Sequence, residues 1–299
     1  MSDPSSPSSS PSSVTLDTVA RLHGITTWFH VFVYSAPEVT EEYDKIGLEG
    51  RSGYFASRAA PMGPVPPETI TATFYNFPHG LVEHWMRGRW EAVTPADVSA
   101  ARWRAVGRVL DTHVRPIMSA NDIAEATDVA ERAVDGLTWP GRPLAAGHAA
   151  VLDQCRDNDL VRLWQLIAVL REWRGDGHIA LLTAEPLSGS ECTVITYALS
   201  RGRSFLKASR SWSDDEWSAA VERLVADGWI SAEDAMTDDG KARRRSLETR
   251  TNELAVPMWD GIDDATVNRL GDLLEPAVEA LTAANYFAMF GRPAPSKDG

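Results

Sequence analysis

Cysteine is almost missing from this chain: Cys155 and Cys192 are the two it has in 299 residues. With no secretory signal ahead of them, a disulfide framework is not expected, and a reducing cytoplasm is the expected compartment. No apolar run approaches the roughly 20 residues that a bilayer-spanning helix needs, so no membrane partner is expected. Basic charge is also short, with 29 Lys and Arg against 42 Asp and Glu and a formal net charge of -13. Such an acidic surface repels nucleic-acid phosphates unless a basic patch is concentrated on one face. Nucleotide-binding glycine loops, zinc signatures and nucleophile elbows are missing too. His79, Glu83 and His84 come nearest to a zinc helix, but they fit neither H-E-x-x-H nor H-x-x-E-H. No metal is therefore expected, no cofactor is indicated, and the sequence names no reaction. Residues 1–13, nearly all Ser and Pro, lack apolar anchors and are expected to be disordered.

What is present is helix. Hydrophobic residues make up 43% of the chain, enough for one large core or two modest ones, and two units are the expectation. From Leu16, apolar residues Leu22, Ile25, Trp28, Phe29, Phe32 and Val33 surround much of a helix that carries His23 and His30 seven apart. Pro66, Pro67 and Glu68 start a helix expected to run to about Asn76 and stop before Pro78. Thr94-x-x-Asp97 resembles a capping box for a helix to about Leu110, and 122–134 reads as an amphipathic helix. The Pro- and Gly-rich stretch from Pro140 to Pro143 marks the expected boundary between units 14–140 and 141–290, with 291–299 a loose tail. Beyond it, Ser188-x-x-Glu191 and Ser213-x-x-Glu216 cap two more helices. A long helix is expected to reach Trp259, and a last one to span 265–284.

The most informative stretch is Leu170 to Leu182, L-R-E-W-R-G-D-G-H-I-A-L-L. Before it, Leu160, Leu163, Trp164, Ile167 and Leu170 recur at helical spacing, which predicts a buried face. Gly175 and Gly177 are expected to end that helix, with Asp176 capping another that begins near His178. Arg171, Arg174, Asp176 and His178 would then crowd a junction. Arg58, Asn76, Arg171 and Arg174 are the candidate clamp for a carboxylate or phosphate, with His148 and Tyr75 as further ligand-binding candidates. His178, held by Asp176, is the candidate general base, or a metal or haem ligand. Trp28, Tyr54, Phe74, Tyr75 and Trp173 are candidates for an aromatic wall. The blander alternative is that Arg171, Arg174 and Asp176 only tie helix ends together through salt bridges.

The chain also echoes itself. T-P-A-D-V-S-A-A from Thr94 parallels S-D-D-E-W-S-A-A from Ser213, and P-E-T-I-T-A-T-F-Y from Pro67 parallels S-E-C-T-V-I-T-Y from Ser190. Upstream of these, Arg58 and Gly63 stand where Arg171 and the Gly175 to Gly177 segment stand. A duplicated unit would make one chain the equivalent of a two-fold dimer.

The series H-I-A-L-L-T-A-E-P-L, S-G-S-E-C-T-V-I-T-Y, S-D-D-E-W-S-A-A-V-E-R-L-V-A-D-G-W-I and M-T-D-D-G-K-A resembles a MarR-type winged helix-turn-helix over 163–281. Together with R-A-A-P-M-G, T-F-Y-N-F, G-R-P-L-A-A, L-R-E-W-R-G-D-G-H and R-S-W-S-D-D-E-W, the whole resembles an actinobacterial family of MarR-like, two-unit proteins. The resemblance implies an all-α fold with minor β in small wings, arranged as two tandem winged-helix-like units in an intrachain pseudo-dimer. It brings no established catalytic residue. The DNA-reading parts depart from the pattern: the recognition helix carries Asp214, Asp215, Glu216, Glu222 and Asp227 against Arg223, and the wing is a short S-A-E-D-A-M. Lys241, Arg243, Arg244 and Arg245 form a basic cluster inside the next helix, where pairing with nearby acids is the simpler account. The expected function is therefore a small-molecule-binding protein, with catalysis open, that holds its ligand in a pocket between the units. DNA is not an expected partner. A ligand-responsive regulator and a purely structural or interaction module are the alternatives.

Overall fold

The computed structural model describes residues 13–200, 205–292 and 294, so most of the two tails read as disordered or loose falls outside it. Helices follow one another along the described chain: α1 (Leu16–Val31), α2 (Pro37–Asp44), α3 (Arg51–Ala59), α4 (Pro67–Phe74), α5 (His79–Met86), α6 (Arg89–Ala92), α7 (Pro95–His113) and α8 (Ala120–Asp135). They continue with α9 (Pro143–Ala150), α10 (Asp159–Ala184), α11 (Gly189–Ser200), α12 (Phe205–Arg210), α13 (Asp214–Ala226), α14 (Asp238–Glu253) and α15 (Asp264–Ala283).

The starts of these helices are written in their caps. Thr94 accepts from the Asp97 amide, while Ser119 with Asp122 and Ser213 with Glu216 form reciprocal capping boxes. Ser188 and Glu191 exchange the same pair of bonds, at 2.6 and 3.3 Å. At the other end of a helix, α4 stops where Tyr75 takes a φ of 52°. The helix expected to reach Trp259 ends at Glu253, and a 3-10 turn over Val256–Trp259 follows. Pro257 lacks an amide hydrogen and disfavours α geometry in the residue before it.

The largest departure from expectation is α10. It runs unbroken for 26 residues, roughly 39 Å, straight through Gly175 and Gly177. Neither glycine takes a positive φ. Gly177 serves close approach instead: a Cβ there would lie 2.0 Å from Nη1 of Arg142. That nitrogen donates to the Trp173 carbonyl at 2.8 Å, and the guanidinium lies 4.0 Å over the Trp173 ring. Asp176 does cap a helix, but the helix is α9: its Oδ2 accepts from the Leu144 and Ala145 amides, both at 3.1 Å. The expected junction is thus continuous helix. The supposed second copy of the Arg58 to Gly63 turn, where Gly63 does take a φ of 83°, is therefore not a loop.

Because α10 is apolar around most of its circumference, it is covered on several sides, by α1, α7, α8 and α9 and, over its second half, by α14. Around these, α1 pairs with α15 and α2 with α7. The main core extends from Val14 to Phe287 and takes residues from both sides of position 140. A smaller core gathers Leu182, Leu187, Val194, Ile195, Leu224, Trp229 and Leu247 where α11, α13 and α14 meet the end of α10.

No sheet occurs among the described residues, and the expected wings shrink to one antiparallel bridge, Ile230 to Met236. The segment between them closes on itself through Ser231 N to Ala235 O at 2.7 Å, leaving no length for a ladder. No helix among the described residues is long and apolar enough to cross a membrane.

Candidate functional site

A cavity of about 660 Å³ lies between α1, α3, the end of α4, α10 and α12. Its size falls within the range of small-molecule sites. Six of the eight candidate residues line it: Arg58, Tyr75, Asn76, Arg171, Arg174 and His178. Tyr54 and Phe74 of the expected aromatic wall are there too, whereas Trp28 packs on Phe287 and Trp173 binds the Thr138 carbonyl. Asp176 is occupied at α9. His148, 1% exposed, accepts at Nδ1 from Gln165 Nε2 at 3.0 Å and sits in the packing between α9 and α10. His23 lines the cavity, while His30 lies buried behind it against Trp164.

Helical spacing explains the α10 wall. Arg171, Arg174 or Gly175, and His178 recur at three- and four-residue steps, so they share a face. From the opposite side α3 presents Tyr54 and Arg58, and α12 presents Ser209 and Arg210. Tyr75, with its positive φ, turns the chain past Asn76 and Phe77, and its hydroxyl donates to Leu187 O at 2.5 Å. The contact is close: a Cβ on Gly189 would lie 2.2 Å from the Tyr75 carbonyl oxygen.

Positive charge exceeds negative inside the cavity. Glu172, 5% exposed, lies 3.8 Å from Arg58 and pairs with Arg171. Burial pushes its carboxyl up, but Arg171 and Arg58 more than reverse this and hold it below the usual range. Arg174 is satisfied separately by Glu248 at 2.8 Å and by Asn252. Arg210 stacks over Phe77 at 4.5 Å, and no carboxylate pairs with it among the described residues. Arg58 lies 4.1 Å over Phe74 and donates to the Tyr54 hydroxyl at 3.0 Å. Burial opposes ionisation of Tyr54, yet the arginines around it, Arg58 and Arg210 foremost, pull that phenol below its ordinary value. Arg58 and Arg171 therefore share one carboxylate, and Arg210 adds a third guanidinium with no carboxylate of its own among the described residues.

The lining is also under-bonded. Tyr34 Oη, Arg58 Nε, Asn76 Oδ1 and Arg171 Nε are buried with no hydrogen-bond partner among the described residues. Such atoms each cost on the order of 1–3 kcal/mol when left unpaired. Among the described residues no three His, Cys, Asp or Glu side chains converge to hold a metal ion.

Tyr34, Glu172 and Arg210 were not sequence candidates. Glu172 stood within the charged stretch and had a signal; Tyr34 follows α1 in a 3-10 turn, and the six-residue α12 is too short to show a period.

Next to the cavity, α11, α12 and α13 follow one another around the smaller core, and α13 exposes Asp214, Asp215, Glu216 and Glu222. Arg223 is engaged by Glu191 at 2.6 Å. On α14, Lys241 pairs with Asp238, Arg244 with Glu248, and Arg243 stacks on Trp229. No curated protein and no solved structure matches the chain. Residues 19–288 match the model of a helix-turn-helix family, and the chain belongs to that family.

Proposed function

We propose that this helix-turn-helix protein binds a small anionic molecule in the cavity between 14–140 and 141–290, taken as two tandem units. The observation that carries the reading is the charge imbalance: Arg58, Arg171 and Arg210 line a cavity whose one lining carboxylate, Glu172, pairs with Arg58 and Arg171 and leaves Arg210 without an acidic partner among the described residues, in a chain whose net charge is -13. In a partly enclosed site, where the effective dielectric is lower than in bulk water, an unpaired guanidinium favours an oxyanion partner more than it would in water. Residues from both sides of position 140 line the cavity. In this reading α11 to α14 form a MarR-like unit whose wing has shrunk to a bridge. Its acidic exposed face is a poor partner for phosphates, so DNA is not the ligand. His178 serves binding rather than catalysis, since Asp176 is engaged at α9 and no dyad forms. A ligand-responsive regulator remains the second reading, favoured by family membership and by Ser209 and Arg210 reaching the cavity from α12.

The test uses melting temperature at constant ionic strength. Phosphate and succinate should raise it relative to chloride. Arg210→Gln removes a cation without orphaning a carboxylate, so the ligand-free protein should melt no lower while the anion-induced rise falls by at least half. An unchanged rise in Arg210→Gln, or no rise in the wild-type protein, would contradict the reading.

A further inference from the structure

We infer that the cavity takes an elongated amphipathic acid, its anionic group held by Arg58, Arg171 and Arg210 and a hydroxyl or N–H at its far end donated to Nε2 of His178. The inference rests on the anion-binding reading and adds the ligand's length and polarity.

The acceptor follows from a chain of protons. Thr251 Oγ1 donates its one hydrogen to the Leu247 carbonyl at 2.7 Å. It lies 2.9 Å from Nδ1 of His178, toward which it has no hydrogen left and so can only accept. Nδ1 therefore carries a proton. Burial, with Arg244 and Arg174 against Glu248, lowers the imidazole to about 4, so at neutral pH the ring is uncharged. A neutral ring has one N–H, which leaves Nε2 a bare lone pair. His178 lines the cavity and is half-buried, and Nε2 has no partner among the described residues.

The length follows from the helix. Arg171 and His178 are seven residues apart on α10, roughly 10 Å along its axis. Gly175 between them has no side chain to divide the space, and Phe55, Phe74, Phe77 and Phe290 give the cavity apolar walls. A volume of about 660 Å³ also exceeds what a small oxyanion fills, a water occupying about 30 Å³ in the liquid.

The experiment is calorimetric titration of the full chain at pH 7.5 and constant ionic strength with 8-hydroxyoctanoate, octanoate, inorganic phosphate and succinate. 8-hydroxyoctanoate should bind about tenfold more tightly than octanoate, the scale of one good hydrogen bond. His178→Phe should abolish that preference and leave octanoate affinity in place. Thr251→Val, which keeps the shape and frees the tautomer, should shrink the preference and serves if His178→Phe does not fold. Equal affinities for the two long acids in the wild-type protein, or a full preference surviving in the variants, overturns the inference. Phosphate or succinate binding with neither long acid also overturns it and leaves the anion reading standing. Binding of none of the four overturns both.

Discussion

Acidification from pH 7.5 to about 5 should cost this protein about 6 kcal/mol of stability. Four histidines are held neutral by the fold, each chiefly by burial and then by neighbouring arginines. His23 and His148 fall to about 3, His178 to about 4, and His30 lies well below its usual 6.5. Because these folded-state values lie below the unfolded one, the unfolded chain takes up protons as pH drops through 6.5 and the native chain does not until near 4. Stability is therefore complete above 6.5 and is lost as pH falls. Asp176 works the other way. Burial raises it to about 7, so between roughly 4 and 7 the native state holds a proton that the unfolded state has released. The balance is a net uptake of three protons on unfolding near pH 5, a slope of about 4 kcal/mol per pH unit. A domain with a total stability of about 5–15 kcal/mol is exhausted within roughly one to four such units. Urea midpoints measured from pH 7.5 to 4.5 should show this slope, and His148→Gln should lower it by about a third. A flat profile down to pH 5 would mean that these imidazoles are not held neutral.

Trp164→Ala should destabilise the protein by about 3–5 kcal/mol at pH 7.5, the usual cost of emptying a buried aromatic site. Trp164 is wholly buried in the second turn of α10. His30 stacks on it at 4.8 Å and 7°, and the Arg102 guanidinium lies 4.8 Å from the ring. Arg102 is 2% exposed, and its described partners are the Ser57 carbonyl and His30 Nε2, not a carboxylate. The indole face thus supplies much of the negative potential that makes this buried cation tolerable. Trp164→Phe keeps a ring there and removes an Nε1 that has no partner, so its cost should be less than half as large. Equal losses in the two variants, measured by denaturant unfolding, would show that the ring face does not hold Arg102.

Local chemistry was legible in the sequence, and remote geometry was not. The apolar face from Leu160 to Leu170, the caps at Thr94, Ser188 and Ser213 and the shortness of the 231–236 wing all depend on neighbours a few residues away. Each could be read from spacing alone. Gly175 and Gly177 misled because glycine permits a helix break without requiring one. What Gly177 accommodates is Arg142, 35 positions away, and no local pattern announces it. Asp176 is a cap, but the helix it caps begins 33 residues earlier in the chain. The charged stretch pointed to one wall of the cavity. Tyr34 and Arg210, on other walls, come from short elements that carry no periodic signal.

Halide anomalous scattering probes the excess of positive charge between α3, α10 and α12 most directly. In crystals of the full chain soaked in bromide, the strongest anomalous peak should lie inside the cavity within contact of Arg58, Arg171 or Arg210. Bromide bound at surface arginines with none in the cavity would contradict the account.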